Sequence, residues 1–386
     1  MSAQHAACPP PATRATGADM ALFPPAGCSR LIVKVGSSLL VDADGAVGRD
    51  WLARLCDAIA ERIGAGQQIA LVSSGAIALG ARRLGLAKGG RASLEDAQAA
   101  AATGQIALSQ VWAEMLGARG LTAAQILLTL DDLEDRRRYL NAAATLARLL
   151  DLGVVPVINE NDSVATTEIR FGDNDRLAAR VAQAAGAQGV LLLSDVDGLY
   201  DRNPAHAGAV HIPHVARLDA GIEAMADGGS ASGMGSGGML SKLAAARIAT
   251  RAGVPLAIAS GHAERPLAED ARHTLFAADR GTRGRRAWLS GRLTVRGTIS
   301  VDAGAAAALR GGASLLAAGA TAVEGSFARG DVVAIEGPAG LLGRGLSEYD
   351  AADVARLLGK RNDAHAAILG TPPRAALVHR DNLALA

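Results

Sequence analysis

Residues 157–176 read VINENDSVATTEIRFGDNDR, and the apolar run GVVPVI at 153–158 leads into them. An apolar run of that length stopped by Asn and Asp reads as a buried strand closing on a polar loop. Two Asn/Asp clusters follow, at 159–162 and 173–175, with ten largely apolar and Thr-containing residues between them. Their short side chains offer rigid donors and acceptors suited to an amino group, a hydroxyl or a hydrated cation. A simpler reading makes Asp173 or Asn174 the cap of a helix that starts at Asp175. Capping accounts for one residue, not for two clusters converging on one strand end. The stretch is therefore expected to form the floor of a binding site.

Outward from this stretch the pattern repeats. Apolar runs at 31–35, 69–72, 122–128, 189–193 and 255–259 predict further strands. Helical spacing marks 50–63, 76–86, 94–116, 139–150, 175–185 and 239–252. Strands alternating with helices mean right-handed crossovers and a mainly parallel sheet covered on both faces, a three-layer αβα sandwich. Ligands bind such sheets at the carboxyl ends of strands. Gly36-Ser37-Ser38, Ser73-Ser74-Gly75, the 159–162 cluster and Ser194-Asp195 each directly follow a strand, so they are expected along one crevice.

The 386 residues are ample for two domains, and 49% hydrophobic content with 20% charge describes a globular chain. A net charge of +1 gives no global pull toward nucleic acid or membrane. Three cysteines, Cys8, Cys28 and Cys56, lack CxxC spacing, which argues for a reducing, cytoplasmic compartment and against structural zinc. No apolar run reaches the roughly 18 residues that a bilayer span needs. The Pro/Ala-rich residues 1–29 read as a flexible extension outside the fold. Residues 30–277 form the first domain and the basic, Gly-rich residues 278–291 a linker. After it, shorter β-like runs and a helix near 351–358 predict a small β barrel over 292–371, followed by a tail over 372–386.

Two cations face the predicted crevice. Lys34 interrupts an otherwise apolar strand, which is costly inside a protein without an anionic partner; the alternative is an edge strand with Lys34 in solvent. Lys242 lies one turn into a helix opened by the Gly-rich stretch GGSASGMGSGGMLSK at 228–242. Gly233, Gly235 and Gly238 fit GxGxxG, but no strand precedes them, which defeats the dinucleotide fingerprint, and the stretch is no P-loop. Its glycines and helix start suit an anion, with a plain surface loop as the alternative. Paired lysines above carboxylates suit phosphoryl transfer, where charge spreads over the moving oxygens. The run DDLEDRRR at 131–138 reads as one helix start, and His206, His211 and His214 as a solvated loop.

The runs IVKVGSSLL, LVSSGAIALG, VPVINENDSVATTEIRFGDNDRLAA, LLLSDVDGLY and GSGGMLSKLAAARIA, in this order and spacing, resemble the amino acid kinase family. The segment from Arg296, with VDAGAAAAL, GSFARGDVVAI and GRGLSEYDAADVARLLG, is similar to the PUA domain. The resemblance implies ATP-dependent phosphorylation of the γ-carboxylate of L-glutamate to L-glutamyl 5-phosphate, the first step of proline biosynthesis, with Mg²⁺ carried by the nucleotide. By motif, Lys34 and Lys242 would stabilise the transferring group and Asp175 would orient them. Ser74, Gly75, Asp162 and Asn174 would bind glutamate, with Asn159 and Asp173 nearby. Lys34, Ser194, Asp195, Ser236, Gly237, Gly238, Met239, Leu240, Ser241 and Lys242 would hold ATP. Ser194 stands where the family commonly has Thr. The resemblance also implies feedback inhibition by proline and a homo-oligomer, dimer or tetramer. Sibling kinases of aspartate or N-acetylglutamate are the alternative within the class. RNA binding by the PUA domain is the alternative outside it, which near-neutral charge and few aromatics disfavour.

Overall fold

A computed structural model describes residues 22–41, 47–164, 173–227, 238–268, 271–279, 295–374 and 376–385. The first domain is built on strands β1 Arg30–Val35, β2 Gln68–Ser73, β3 Ala123–Leu128, β4 Val155–Glu160, β5 Gly189–Ser194, β6 Leu199–Tyr200, β7 His211–Ile212, β8 His214–Val215, β9 Leu256–Ser260 and β10 His273–Phe276. Eight of them form one sheet in the order β3-β4-β2-β1-β5-β9-β10-β8, and β6 pairs with β7 apart from it. Strands β3 to β9 in that order are all parallel, and β10 runs antiparallel to β9. Helices α1 Ser37–Leu40, α2 Arg49–Gly64, α3 Ala76–Arg83, α4 Leu94–Gly117, α5 Leu130–Glu134, α6 Arg136–Asp151, α7 Asp173–Ala185, α8 Ala220–Ala224 and α9 Met239–Arg251 complete the domain.

Two cores, one on each face, account for the uniformly apolar strands. On one face Leu31, Val33 and Val35 of β1 pack with Leu52, Leu55 and Ile59 of α2 and with Leu108 and Trp112 of α4. On the other, Ile32 packs with Leu146 of α6, Leu177 and Val181 of α7, and Ala245 and Ala249 of α9. This is the αβα sandwich expected from the alternating pattern. The run 131–138 is not one helix start. Thr129 caps α5 through a capping box, and Asp135, in extended backbone, caps α6 anew by accepting from the Arg138 N–H.

Helices α3 and α4 cross at glycine. A Cβ at Gly80 would fall inside the contact radius of the Ala100 carbonyl, and one at Gly104 inside that of Ala76. Only two residues without side chains let the backbones approach so closely.

Of the extension expected over 1–29, residues 22–29 are described, and they belong to the fold. Leu22 and Phe23 are buried in the α2 face core. Arg62, itself buried, donates to the carbonyls of Leu22, Phe23 and Leu267. A turn in which Gly27 and Cys28 N–H groups both reach the Pro24 carbonyl folds the segment back. Proline and glycine there make a turn rather than a tail.

The second domain has strands β11 Gly297–Val301, β12 Ala320–Gly325, β13 Val332–Gly337, β14 Gly340–Leu346 and β15 Leu383–Leu385, in the order β12-β11-β13-β14-β15. Helices α10 Ala303–Arg310, α11 Ala351–Leu357 and α12 Asn362–Leu369 accompany them. All pairings are antiparallel except β11 with β13. The tail expected over 372–386 is instead part of this domain: Leu377, Val378 and Leu383 are core residues, and β15 pairs with β14. The apolar run 375–379 reads as a β-like segment, and Val378 does bridge to Leu315; β15, at three residues, is too short for alternation to show. The expected linker, 278–291, lies outside the described residues apart from 278–279.

The two domains meet along α6. Leu140 packs with Val332, Leu346 and Ala384. The Arg137 side chain donates to the Arg329 carbonyl at 3.1 Å, and Arg136 lies 3.7 Å from Asp331. Arg329 reaches Asn141 at 2.5 Å and Glu348 at 3.4 Å. Gly330, at φ +89°, passes so close that a Cβ would stand 3.1 Å from the Arg137 nitrogen.

Candidate active site

Strand alternation decides where Lys34 points. Since Leu31, Val33 and Val35 face α2 and α4, Lys34 faces the opposite layer with Ile32, where α7 and α9 lie. β1 is flanked by β2 and β5, so the edge-strand alternative does not hold. A buried ammonium there needs a counter-charge. The first turn of α7 provides it: Asp175 is wholly buried, with Oδ1 2.6 Å from Lys34 Nζ and Oδ2 3.3 Å from Lys242 Nζ. Lys242 enters from the first turn of α9. Lys34 and Lys242 are only 8% and 7% exposed.

Burial alone would raise the Asp175 carboxyl, yet the charges of Lys34 and Lys242 outweigh it and hold the group below the usual carboxylate value. Burial pulls the Lys34 ammonium below the usual lysine value; Asp175 opposes that pull and Lys242 adds to it. One carboxylate thus holds two ammonium groups against mutual repulsion, at the end of the central strand.

Beside this triad runs a second polar group. Asn174 Nδ2 donates to Ser74 Oγ at 2.9 Å and to Asn159 Oδ1 at 3.0 Å. Asn159 Oδ1 also accepts from the Glu160 N–H at 2.9 Å, and Asn159 Nδ2 donates to Gln105 Oε1 of α4 at 2.8 Å. The ends of β2 and β4 and the start of α7 therefore converge. Gly75, at φ +108°, turns the chain from β2 into α3, a conformation that favours glycine.

The remaining expected residues divide by place. Ser194, buried at the end of β5, donates to the Asp195 carboxylate at 2.8 Å, and Asp195 lies close enough to act electrostatically on Lys34. The Gly36 N–H bonds to the Leu193 carbonyl at 3.2 Å, which ties the ends of β1 and β5 together. Gly238 precedes α9, and Met239, Leu240 and Ser241 form its first turn ahead of Lys242. Asp162 stands half-buried in the turn after β4. Asp173 is the first residue of α7, but its side chain lies outside the described set, as do Ser236 and Gly237. Sequence reasoning missed Gln105. The signal was present: a glycine inside a helix, here Gly104, marks a close backbone approach and draws scrutiny to its neighbours.

Two cations bridged by a buried carboxylate, at the carboxyl ends of a parallel sheet and next to a hydroxyl–amide group, form an arrangement chemically suited to phosphoryl transfer. The model of the amino acid kinase family matches residues 29–260 and that of the PUA domain residues 297–369, and the chain belongs to the amino acid kinase family. Within that family the chain is similar to glutamate 5-kinases. That of Sphingopyxis alaskensis is 73% identical over 367 residues, covering 95% of this chain and 100% of the relative. That of Novosphingobium aromaticivorans is 63% identical over 362 residues, with 93% and 96% covered. That of Zymomonas mobilis is 58% identical over 378 residues, with 97% and 95% covered.

Proposed function

We infer that the chain transfers the γ-phosphoryl group of ATP to the γ-carboxylate of L-glutamate, giving L-glutamyl 5-phosphate and opening proline biosynthesis from glutamate. The observation that carries the reading is the Lys34–Asp175–Lys242 bridge beside Ser74, Asn159 and Asn174. The names of the close relatives select glutamate among carboxylate acceptors.

The chemistry asks little covalent help of the protein. A carboxylate oxygen of glutamate attacks the γ-phosphorus as the bond to the β,γ-bridging oxygen breaks, and ADP departs with that oxygen. The nucleophile is already ionised at neutral pH, so no base has to remove a proton from it. Catalysis then rests on position and charge. Lys34 and Lys242 meet the negative charge spread over the transferring oxygens. Asp175 sets their spacing in advance, so that little reorganisation accompanies the reaction. Ser74 and Asn174 would hold the acceptor, and Asp162 its ammonium. Gly238 and the first turn of α9 would hold nucleotide phosphates at a helix start. The Asp195 carboxylate, exposed at the end of β5, is the hard oxygen donor that fits Mg²⁺ arriving with the nucleotide; when bound, that ion neutralises phosphate charge.

Cytoplasm is the compartment this reading calls for; among the described residues no helix is long and apolar enough to cross a membrane. Proline as feedback inhibitor and a homo-oligomer belong to the same reading. Release of ADP measured with L-glutamate, L-aspartate and N-acetyl-L-glutamate in turn is the direct test. Turnover is expected with glutamate, and turnover with another acid but none with glutamate would overturn the assignment. Lys242→Ala should lower turnover on the order of 100-fold or more with the fold retained.

A further inference from the structure

We propose that Gln105 of α4 is a positioning residue for the acceptor substrate: together with the Glu160 N–H it holds the donor and acceptor polarity of the Asn159–Asn174–Ser74 relay so that Ser74 presents a hydroxyl hydrogen to the carboxylate. The inference rests on the reading of this crevice as a glutamate site.

The relay can be followed atom by atom from the outer face inward. Gln105 Nε2 donates to Ser109 Oγ at 3.3 Å, one helical turn further along α4. Ser109 Oγ lies 2.7 Å from both the Gln105 carbonyl and Gln125 Oε1 of β3, and its single hydrogen serves one of these acceptors at a time. With its NH₂ group engaged outward, Gln105 turns Oε1 toward Asn159, which donates Nδ2 to it at 2.8 Å. Asn159 Oδ1 then faces inward, where it accepts from the Glu160 N–H and from Asn174 Nδ2; the same N–H reaches Asn174 Oδ1 at 3.3 Å, so this backbone donor and Gln105 set the polarity together. Asn174 spends its second Nδ2 hydrogen on Ser74 Oγ. An amide NH₂ has two hydrogens, and both are committed. Ser74 therefore receives a bond from the protein and keeps its own hydrogen for whatever lies in the crevice. A carboxylate only accepts. Reversed polarity would spend the Ser74 hydrogen on Asn174 and turn lone pairs toward the substrate's charge.

A second observation fixes where Gln105 stands. It adjoins Gly104, whose backbone lies against Ala76 and Gly80 of α3 with no room for a side chain. α3 begins one residue after Ser74-Gly75. The glycine crossing thus locks the two ends of the relay, Gln105 and Ser74, into one register. Gln105 touches neither the lysines nor Asp175 among the contacts described, so its effect should fall on acceptor binding alone.

The test is steady-state kinetics of Gln105→Met and Gln105→Glu in the full-length protein, with KM for glutamate and for ATP measured separately and thermal midpoints recorded. Methionine matches the length but cannot accept. Loss of one hydrogen bond that leaves the Asn159 amide unpaired should raise KM for glutamate about tenfold and leave KM for ATP nearly unchanged, with the thermal midpoint lowered by only a few degrees. Glutamate at 105 keeps an acceptor oxygen and should restore KM to within about twofold of the parent. A normal glutamate KM in Gln105→Met would overturn the proposal while leaving the glutamate reading intact. So would Gln105→Glu as impaired as Gln105→Met, or a rise in both KM values together with a midpoint lowered by more than that, since each would mean packing rather than polarity. Absence of glutamate turnover in the parent protein would instead remove the reading beneath it.

Discussion

At Asp175 a carboxylate without exposed surface stands between two ammonium groups that are themselves nearly buried. Removing its charge strands both cations. Asp175→Asn should destabilise the fold by about 3–5 kcal/mol, the cost of breaking a buried pair from one side. It should also reduce turnover on the order of 100-fold, because the lysines lose their spacing. The pH dependence follows from the direction of the shift. Asp175 is held below its ordinary value in the folded chain, so its contribution is full above the ordinary carboxylate range and is lost as pH falls through the lower, folded value. Chemical denaturation of parent and variant across acid pH checks this: their difference should be constant near neutrality and shrink only at strongly acid pH. Lys34 was legible because a cation in an apolar run breaks a rule, and Asp175 because it lies in an acidic cluster at a strand end. The bond between them was not legible from physics alone. That Lys34 and Asp175 share one face depends on which layer α7 joins, and chain order does not state it.

Among the elements, the α3–α4 crossing sets the geometry of the acceptor side. Gly80→Ala places a methyl group against the Ala100 carbonyl with no side chain to yield. The helices must separate, at a cost of about 1–3 kcal/mol or more. Thermal melting of the variant checks the loss, and a glutamate KM raised more than that for ATP would show the displacement reaching Ser74. The parallel strands were easily read, because burial on both faces leaves each an unbroken apolar run. Elements set by a single polar contact were not. The break at Asp135 depends on one cap, and the return of Leu22 and Phe23 on the buried Arg62 guanidinium. Strand β15 has three residues, too few for alternation to show. Each of these gains its conformation from partners far along the chain.

The whole molecule is joined by more than its connecting segment. Leu140 of α6 completes an apolar cluster with residues of β13, β14 and β15, and Arg329 inserts beside Asn141. A specific protease site placed between residues 280 and 294 and then cut should leave both pieces co-eluting on gel filtration. Separation of the pieces would show that the α6 seam is too weak to hold without the covalent link. The bridge of Lys34, Asp175 and Lys242 also bears on how the protein is made. Its members leave the ribosome in that order, and the last is encoded well past the midpoint of the chain. Until residue 242 emerges, the central strand carries a cation whose charge partners are incomplete, and the β9 side of the sheet is missing as well. The nascent first domain should therefore stay protease-sensitive until late in synthesis and then close at once. Ribosome-bound chains arrested after residue 200 and after residue 300 would separate the two states: digestion of the first with protection of the second is the expected result, and equal protection would show that the domain closes without its second lysine.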